Sequence, residues 1–391
     1  MQHVRKNIMK LYIFSAFEWM LFFIPTIYLF YQSIGLTTQD LFIAQSIFSC
    51  VIAVLDFPAG YIADHLGRKR TLIAASVFGI LGVFMYSQAQ GFWDVITAEV
   101  LLGICASLRS GVKEAILYDS LLLLKEEDQF RKYHGIGGSV GQISEGVTSI
   151  AGAILAGMAI RLPFYAQLIA VLGGLIIGLT FKEPERDKPS TNHLANLKKA
   201  FHVIWWKDRR VFWATILGGI IFSTTFSSVW FAQSYFGNIG LAVAFFGIAW
   251  ALGNFAAAAG SYLSHHLHSR ISEAQQYLLI MVIVLVGLLG MAYISVVIGI
   301  IFTVIIRFAW GLLSPLSQEV VNRIVPSDLR VSLLSIKSLV QRAMFIILGP
   351  LYGWITNAYS LSSAIIASSI VLVVFGGISL REAQKSGALR S

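Results

Sequence analysis

Asp56-Phe57-Pro58-Ala59-Gly60-Tyr61-Ile62-Ala63-Asp64-His65-Leu66-Gly67-Arg68-Lys69-Arg70-Thr71 decides the fold of this chain. A long apolar run stops here, three basic residues follow, and a second apolar run starts at Leu72. Two membrane helices joined by so few residues must form a tight hairpin at one membrane face. Gly60 is expected to let backbones approach closely, and Gly67 to supply the positive φ that the turn needs. Arg68, Lys69 and Arg70 mark this face as cytoplasmic.

Outward from the hairpin, the composition has the same meaning. The 391 residues are 57% hydrophobic and 13% charged, against about 25% charged in a soluble domain. Apolar runs of about 20 residues recur along the chain, without the alternation of a membrane barrel. The expected spans are roughly 11–33, 41–63, 72–90, 94–121, 134–160, 164–181, 211–236, 240–264, 275–295, 297–324, 333–356 and 360–380. The fold class is therefore an all-α membrane protein with twelve transmembrane helices. The first span is too long for a cleaved signal peptide and contains Glu18.

Basic residues set the orientation. Arg5, Lys6, Lys10, Arg68, Lys69, Arg70, Lys125, Arg131, Lys132, the 182–210 segment, Arg270, Arg323, Arg330, Arg381, Lys385 and Arg390 fall on one side, while Arg161 is nearly alone on the other. Both termini are thus expected in the cytoplasm, and the net charge of +9 needs no nucleic acid to explain it. Cys50 and Cys105 lie inside spans and make no disulfide framework. His265, His266 and His268 share a cytoplasmic loop without a converging carboxylate or cysteine, so no metal is expected.

Segment 182–210 is the one long connection. It divides the chain into an N-terminal bundle (1–181), a linker (182–210) and a C-terminal bundle (211–391). The linker starts charged and proline-rich. Leu194, Leu197, Phe201, Ile204 and Trp205 then fall at helical spacing, which predicts an amphipathic helix at the inner membrane surface.

Gly60, Asp64, Gly67, Arg68 and Lys69 fill, without a gap, the pattern Gly, three residues, Asp, two residues, Gly, Arg, then Lys or Arg. In this the stretch resembles the signature loop after the second helix of the major facilitator superfamily. Asn322 to Arg330 also looks like the family's loop between helices ten and eleven. The resemblance implies two six-helix bundles around a central cavity, alternating access by a rocker switch, and a gating role for the five motif residues. It also implies that Asp64 helps latch the halves. The second-half counterpart, around Gly253 and Gly260, is degenerate. The family's helix-four arginine motif is not matched cleanly, because Glu99 stands near its usual place and Arg109 lies deeper.

Ionisable residues within spans are functional candidates because burying them is expensive. Asp56, Glu114, Glu18, Asp119 and Glu145 are the candidates for proton coupling. Pro58 leaves the Val54 carbonyl without its helical donor, which loosens the backbone beside Asp56. Arg109, Arg307 and Arg342 stand near mid-depth against Glu145, so the cavity is net positive. Either these arginines pair with acids on other spans, or they bind a solute carrying carboxylate or phosphate. Asp119, Glu319 and Lys337 are close enough to helix ends to reach water, Glu99 is expected to be solvated, and Glu319 with Arg323 has the spacing of a helix ion pair.

No phosphate-binding Gly-Lys-Ser/Thr loop is present. Energy must come from an ion gradient, the solute gradient or a partner. The leading reading is a proton-coupled exporter of a small organic drug or metabolite in a bacterial cytoplasmic membrane, with no enzymatic activity and no cofactor. Its partners are the solute, protons and the lipid bilayer, and a monomer is expected. The alternatives are an importer or facilitator of an anionic nutrient or chelate, and a non-transporting receptor or scaffold. Dense buried charge argues against a scaffold.

Overall fold

A computed structural model describes residues 2–183, 201–202, 205, 208–268, 270–324 and 330–390; the side chains of residues 2–4, 57, 64, 131, 268, 330–332 and 334 are outside the description. Most of the expected amphipathic helix of the linker and most of the Asn322–Arg330 loop lie outside the described residues.

The described residues form helices and no strand. In lipid a helix satisfies its own backbone groups, so the apolar runs fold as helices. The helices are α1 Gln2–Glu18, α2 Ile27–Ser33, α3 Thr38–Leu66, α4 Arg68–Gln88, α5 Phe92–Arg109, α6 Val112–Leu124, α7 Phe130–Met158 and α8 Leu162–Thr180. They continue as α9 Arg209–Asn238, α10 Val243–His268, α11 Glu273–Tyr293, α12 Ile300–Ile324, α13 Arg330–Ala358, α14 Leu361–Val371 and α15 Gly377–Lys385, with a π-turn at Leu372–Gly376. Side chains close several N-termini: Asp208 accepts from the Arg210 N–H at α9, and Ser272 and Gln275 form a capping box at α11.

Among the described residues, ten helices are long and apolar enough to cross a membrane. Two expected spans are not among these ten. Segment 11–33 is not one helix: α1 stops at Glu18, and a non-helical stretch with a short 3-10 turn, Ile24–Thr26, precedes α2. Segment 134–160 does form a continuous helix, α7, whose Gly, Ser, Gln and Glu content lowers its hydropathy. Segment 94–121 is also broken, at Ser110 and Gly111, where Gly111 has φ 72°. A regular helix cannot continue through that left-handed residue.

The chain forms two compact units, Met1–Leu36 with Ile47–Ser190 and Ala242–Ala251, and Thr37–Ser46 with Thr191–Leu241 and Leu252–Ser391. In the first, α1 packs on α6, α7 and α8, and α4 packs on α5 and α8. Phe23 stacks on Phe164 with ring centroids 4.8 Å apart, and Phe30 and Tyr86 complete an aromatic cluster. In the second, α9 packs on α12, α13, α14 and α15, with Val211, Val321, Leu333, Ile336 and Val340 as its core.

Close helix approach comes from small residues, as membrane packing requires. A Cβ at Gly260 would lie 2.2 Å from the Phe308 carbonyl oxygen, and one at Gly311 would lie 2.0 Å from that of Ala257. Ser261 donates to the Gly311 carbonyl at 3.1 Å across the same contact. Gly60 does not have this role: a Cβ there would meet no described atom within 4 Å. The expectation of close approach at Gly60 is corrected, since that face of α3 is open among the described residues.

Candidate functional site

The first unit gathers its charges at the two helix breaks. Glu18 ends α1, Arg109 ends α5, and Lys113 lies in the first turn of α6. Lys113 Nζ donates to Glu18 Oε2 in an ion pair. Glu18 Oε1 lies 3.6 Å from Arg109 Nε, too far for a hydrogen bond. Arg109 Nε is buried without a hydrogen bond, and neither terminal nitrogen of Arg109 has an acceptor among the described residues. The Arg109 side chain is 23% exposed, so its fork has an open side. One carboxylate faces two cations, so the site carries an excess of one positive charge.

Why the first span breaks at Glu18 is visible in its neighbours. Freed backbone N–H groups at membrane depth need acceptors. The Leu21 N–H donates to Thr148 Oγ1 at 3.1 Å, and the Phe22 N–H to Gln167 Oε1 at 3.0 Å. Gly152 of α7 lets this segment in: a Cβ there would sit 1.8 Å from the Phe22 carbonyl oxygen. Gly141 likewise makes room for Trp19, and Gly173 for Phe17. The sequence signals for this break are Pro25, the polar Thr148 and Gln167 inside apolar runs, and the α7 glycines.

The other candidates of this unit separate by partner. Glu145 is buried and accepts from Trp250 Nε1 at 2.9 Å. Asp119 pairs with the Arg68 guanidinium, which also donates to the Ala115 carbonyl at 2.5 Å. Glu114 is half-buried, with no ion pair or hydrogen bond of its side chain among the described residues. Asp56 is half-buried on α3, two residues before Pro58, and α3 runs through that proline. Glu99 is corrected. It is 3% exposed rather than solvated, because the Tyr86 hydroxyl donates to it and Tyr31 follows at 3.0 Å from the Tyr86 hydroxyl.

At the signature loop, Gly67 has φ 97°, as the turn requires. The Glu183 carboxylate accepts from the Arg68 N–H at 2.6 Å and the Lys69 N–H at 2.8 Å, so it caps α4. An anion at a helix N-terminus is favoured by the peptide dipoles. Arg68 thus has Asp119 as partner, a contact between helices that sequence spacing could not show. Lys69 lies half-buried in the first turn of α4. The backbone of Asp64 is helical, and its side chain is outside the description.

In the second unit, Arg307 Nη2 donates to Asn254 Oδ1 at 2.8 Å, and the guanidinium carbon lies 5.7 Å from the Trp310 ring centroid. Arg342 is half-buried in the middle of α13. Lys337 is corrected: it is 8% exposed and does not reach water, because it shares a stripe of α13 with the core residues Leu333 and Val340. The expected Glu319–Arg323 pair is also replaced. Arg323 pairs with the buried Glu273 at 2.5 Å and donates to the Ala388 carbonyl at 3.0 Å. Glu273 also accepts from the Arg390 N–H at 2.9 Å, which clasps the C-terminal segment against α11 and α12.

Comparison with known proteins places this geometry. YxaM of Bacillus subtilis (strain 168), described as an uncharacterized MFS-type transporter, is 25% identical over 373 residues, covering 91% of this chain and 88% of that protein. YqjV of the same organism is 26% identical over 175 residues and MJ1560 of Methanocaldococcus jannaschii 23% identical over 181 residues; both have the same description. The chain spans under half the length of these two, 41% and 46%. Among solved structures, a variant of the nucleoside transporter NupG superposes with a TM-score of 0.81 at 15% identity, covering 98% of this chain and 99% of that one. A D-xylose-proton symporter does so with a TM-score of 0.75 at 13% identity, covering 98% and 97%. These likenesses show the fold. Residues 9–350 match the Major Facilitator Superfamily, and this chain, a multi-pass membrane protein of transporter fold, belongs to that family.

Proposed function

We propose that the chain is a secondary active transporter that exports a small organic anion, a drug or metabolite with a carboxylate or similar group, by proton-coupled alternating access. In this reading twelve spans form two six-helix bundles joined by the 182–210 linker. The protein works as a monomer in a bacterial cytoplasmic membrane with both termini inside. The observation that carries the reading is the half-buried Arg109 fork, open beside a Glu18 already held by Lys113. A buried arginine fork is stabilised by a planar anion that accepts two parallel hydrogen bonds. Arg307, which donates to Asn254, and Arg342 are the candidate solute contacts of the second unit, and Glu145, held by Trp250, is that of the first.

Proton coupling is assigned first to Glu114 and Asp56. Asp56 is chosen for its place two residues before Pro58 in α3, and Glu114 for its half-buried place in the first turn of α6; Glu18, Asp119 and Glu145, held by Lys113, Arg68 and Trp250, are the further candidates. The signature-loop residues Gly60, Asp64, Gly67, Arg68 and Lys69 act in gating. The test is flux of amphipathic carboxylates in reconstituted vesicles under an imposed pH gradient. Uphill flux that Glu114→Gln or Asp56→Asn abolishes, with exchange spared, supports the reading. Arg109→Gln is expected to shift preference to neutral analogues, and Arg109→Lys not to restore the anion. Flux that is independent of the pH gradient overturns the coupling, accumulation in the reverse direction makes the protein an importer, and preference for cations overturns the anionic solute.

A further inference from the structure

Lys113 was not among the residues expected to contact a solute. We infer that Lys113 is a positioning residue that sets the ligand preference of the Arg109 site, by holding Glu18 off the arginine fork so that the fork stays free for a monoanion. This rests on the reading of Arg109 as an anion site.

The carboxylate of Glu18 divides unevenly. Its Oε2 is in direct contact with Lys113 Nζ, while its Oε1 approaches only the Nε edge of Arg109, at 3.6 Å. A guanidinium and a carboxylate this close would ordinarily form a two-bond fork. Here that pairing is not made, and Lys113 is the group that takes the carboxylate instead. The two cations flank the Ser110–Gly111 break, so their spacing is set by the left-handed Gly111 rather than by a continuous helix. The Glu18 end is equally fixed. Its helix stops there, and the next backbone N–H groups are tied to Thr148 and Gln167.

Charge balance then specifies the occupant. Arg109 and Lys113 carry two positive charges and Glu18 one negative charge. One further negative charge completes neutrality where desolvation makes an excess charge expensive. The site is therefore matched to a monocarboxylate or another oxyanion of single charge. Without Lys113, Glu18 is the nearest anion to Arg109 and takes the fork itself. The arginine remains present but is closed to the solute.

Phenylglyoxal, which modifies arginine side chains with free terminal nitrogens, reads the fork without a known solute. The full-length protein is treated in detergent, and the Arg109 adduct is quantified by peptide mass spectrometry against the exposed Arg381. In the wild type Arg109 is expected to react, and benzoate to slow it. Lys113→Met is expected to slow the Arg109 reaction by about tenfold, because a charge-assisted pair must open first. The Glu18→Gln, Lys113→Met double variant is expected to restore the rate and the benzoate protection. Lys113→Arg should keep the wild-type rate, and Glu18→Gln alone should match or exceed it. If Lys113→Met leaves rate and benzoate protection unchanged, or if the double variant stays slow, the role of Lys113 is overturned while the anion site stands. If Arg109 in Glu18→Gln is slower than wild type, the inference is likewise overturned, even should Lys113→Met not fold. If wild-type Arg109 neither reacts nor is protected, the anion site and this inference fall together.

Discussion

Substituting Gly152 by alanine should unseat the broken first span. The added Cβ would stand 1.8 Å from the Phe22 carbonyl oxygen and 2.6 Å from its carbon, contacts that backbone cannot absorb without moving. The segment must withdraw from α7, which strains the Leu21–Thr148 and Phe22–Gln167 hydrogen bonds of 3.1 and 3.0 Å. Overpacking costs about 1–3 kcal/mol, and each lost hydrogen bond adds about 0.5–1.5 kcal/mol. The total is roughly 2–6 kcal/mol. At about 2–4 °C per kcal/mol for a large domain, the unfolding midpoint should fall by on the order of 5–20 °C. Cys105 is buried, so a thiol-reactive dye in a Cys50→Ser background reports unfolding. Gly157→Ala is the control on the same helix. A Cβ there meets nothing within 4 Å, so its midpoint should hold or rise. Equal midpoints for the two alanine variants would refute the packing of the break against Gly152.

Gly67→Ala should destabilise by roughly 1–2 kcal/mol, because φ 97° suits only glycine, and should speed amide exchange at Arg68 and Lys69 as the Glu183 cap is pushed away. Lys337→Met should stabilise the protein by about 1–3 kcal/mol and so raise the unfolding midpoint, since a buried amine is replaced by an apolar side chain of similar length; a lowered midpoint would mean that the amine has a stabilising ligand. Glu273→Gln should weaken the Arg323 contact and so loosen residues 386–390, read as faster hydrogen exchange in that segment with α9 unchanged.

The sequence by itself determined the membrane class, the helical fold and the hairpin at Gly67. These follow from local properties: an apolar run near bilayer length must be a helix, and a glycine between two such runs can take the positive φ of the turn. The family resemblance read at Gly60 to Lys69 belongs to the same level, because its motif is contiguous. Gly152, Thr148 and Gln167 were present in the sequence, but only packing showed that they receive a break more than 120 residues earlier. The partners of the charges needed the tertiary structure as well. Lys113 takes Glu18 from 95 positions away, Arg68 takes Asp119 from 51, and Arg323 takes Glu273 from 50. Glu99 and Lys337 were misplaced for the same reason. Distance from a helix end is a one-dimensional measure, whereas burial depends on which neighbours cover the side chain. Hydropathy is a sum along one segment, and an ion pair is a meeting of two.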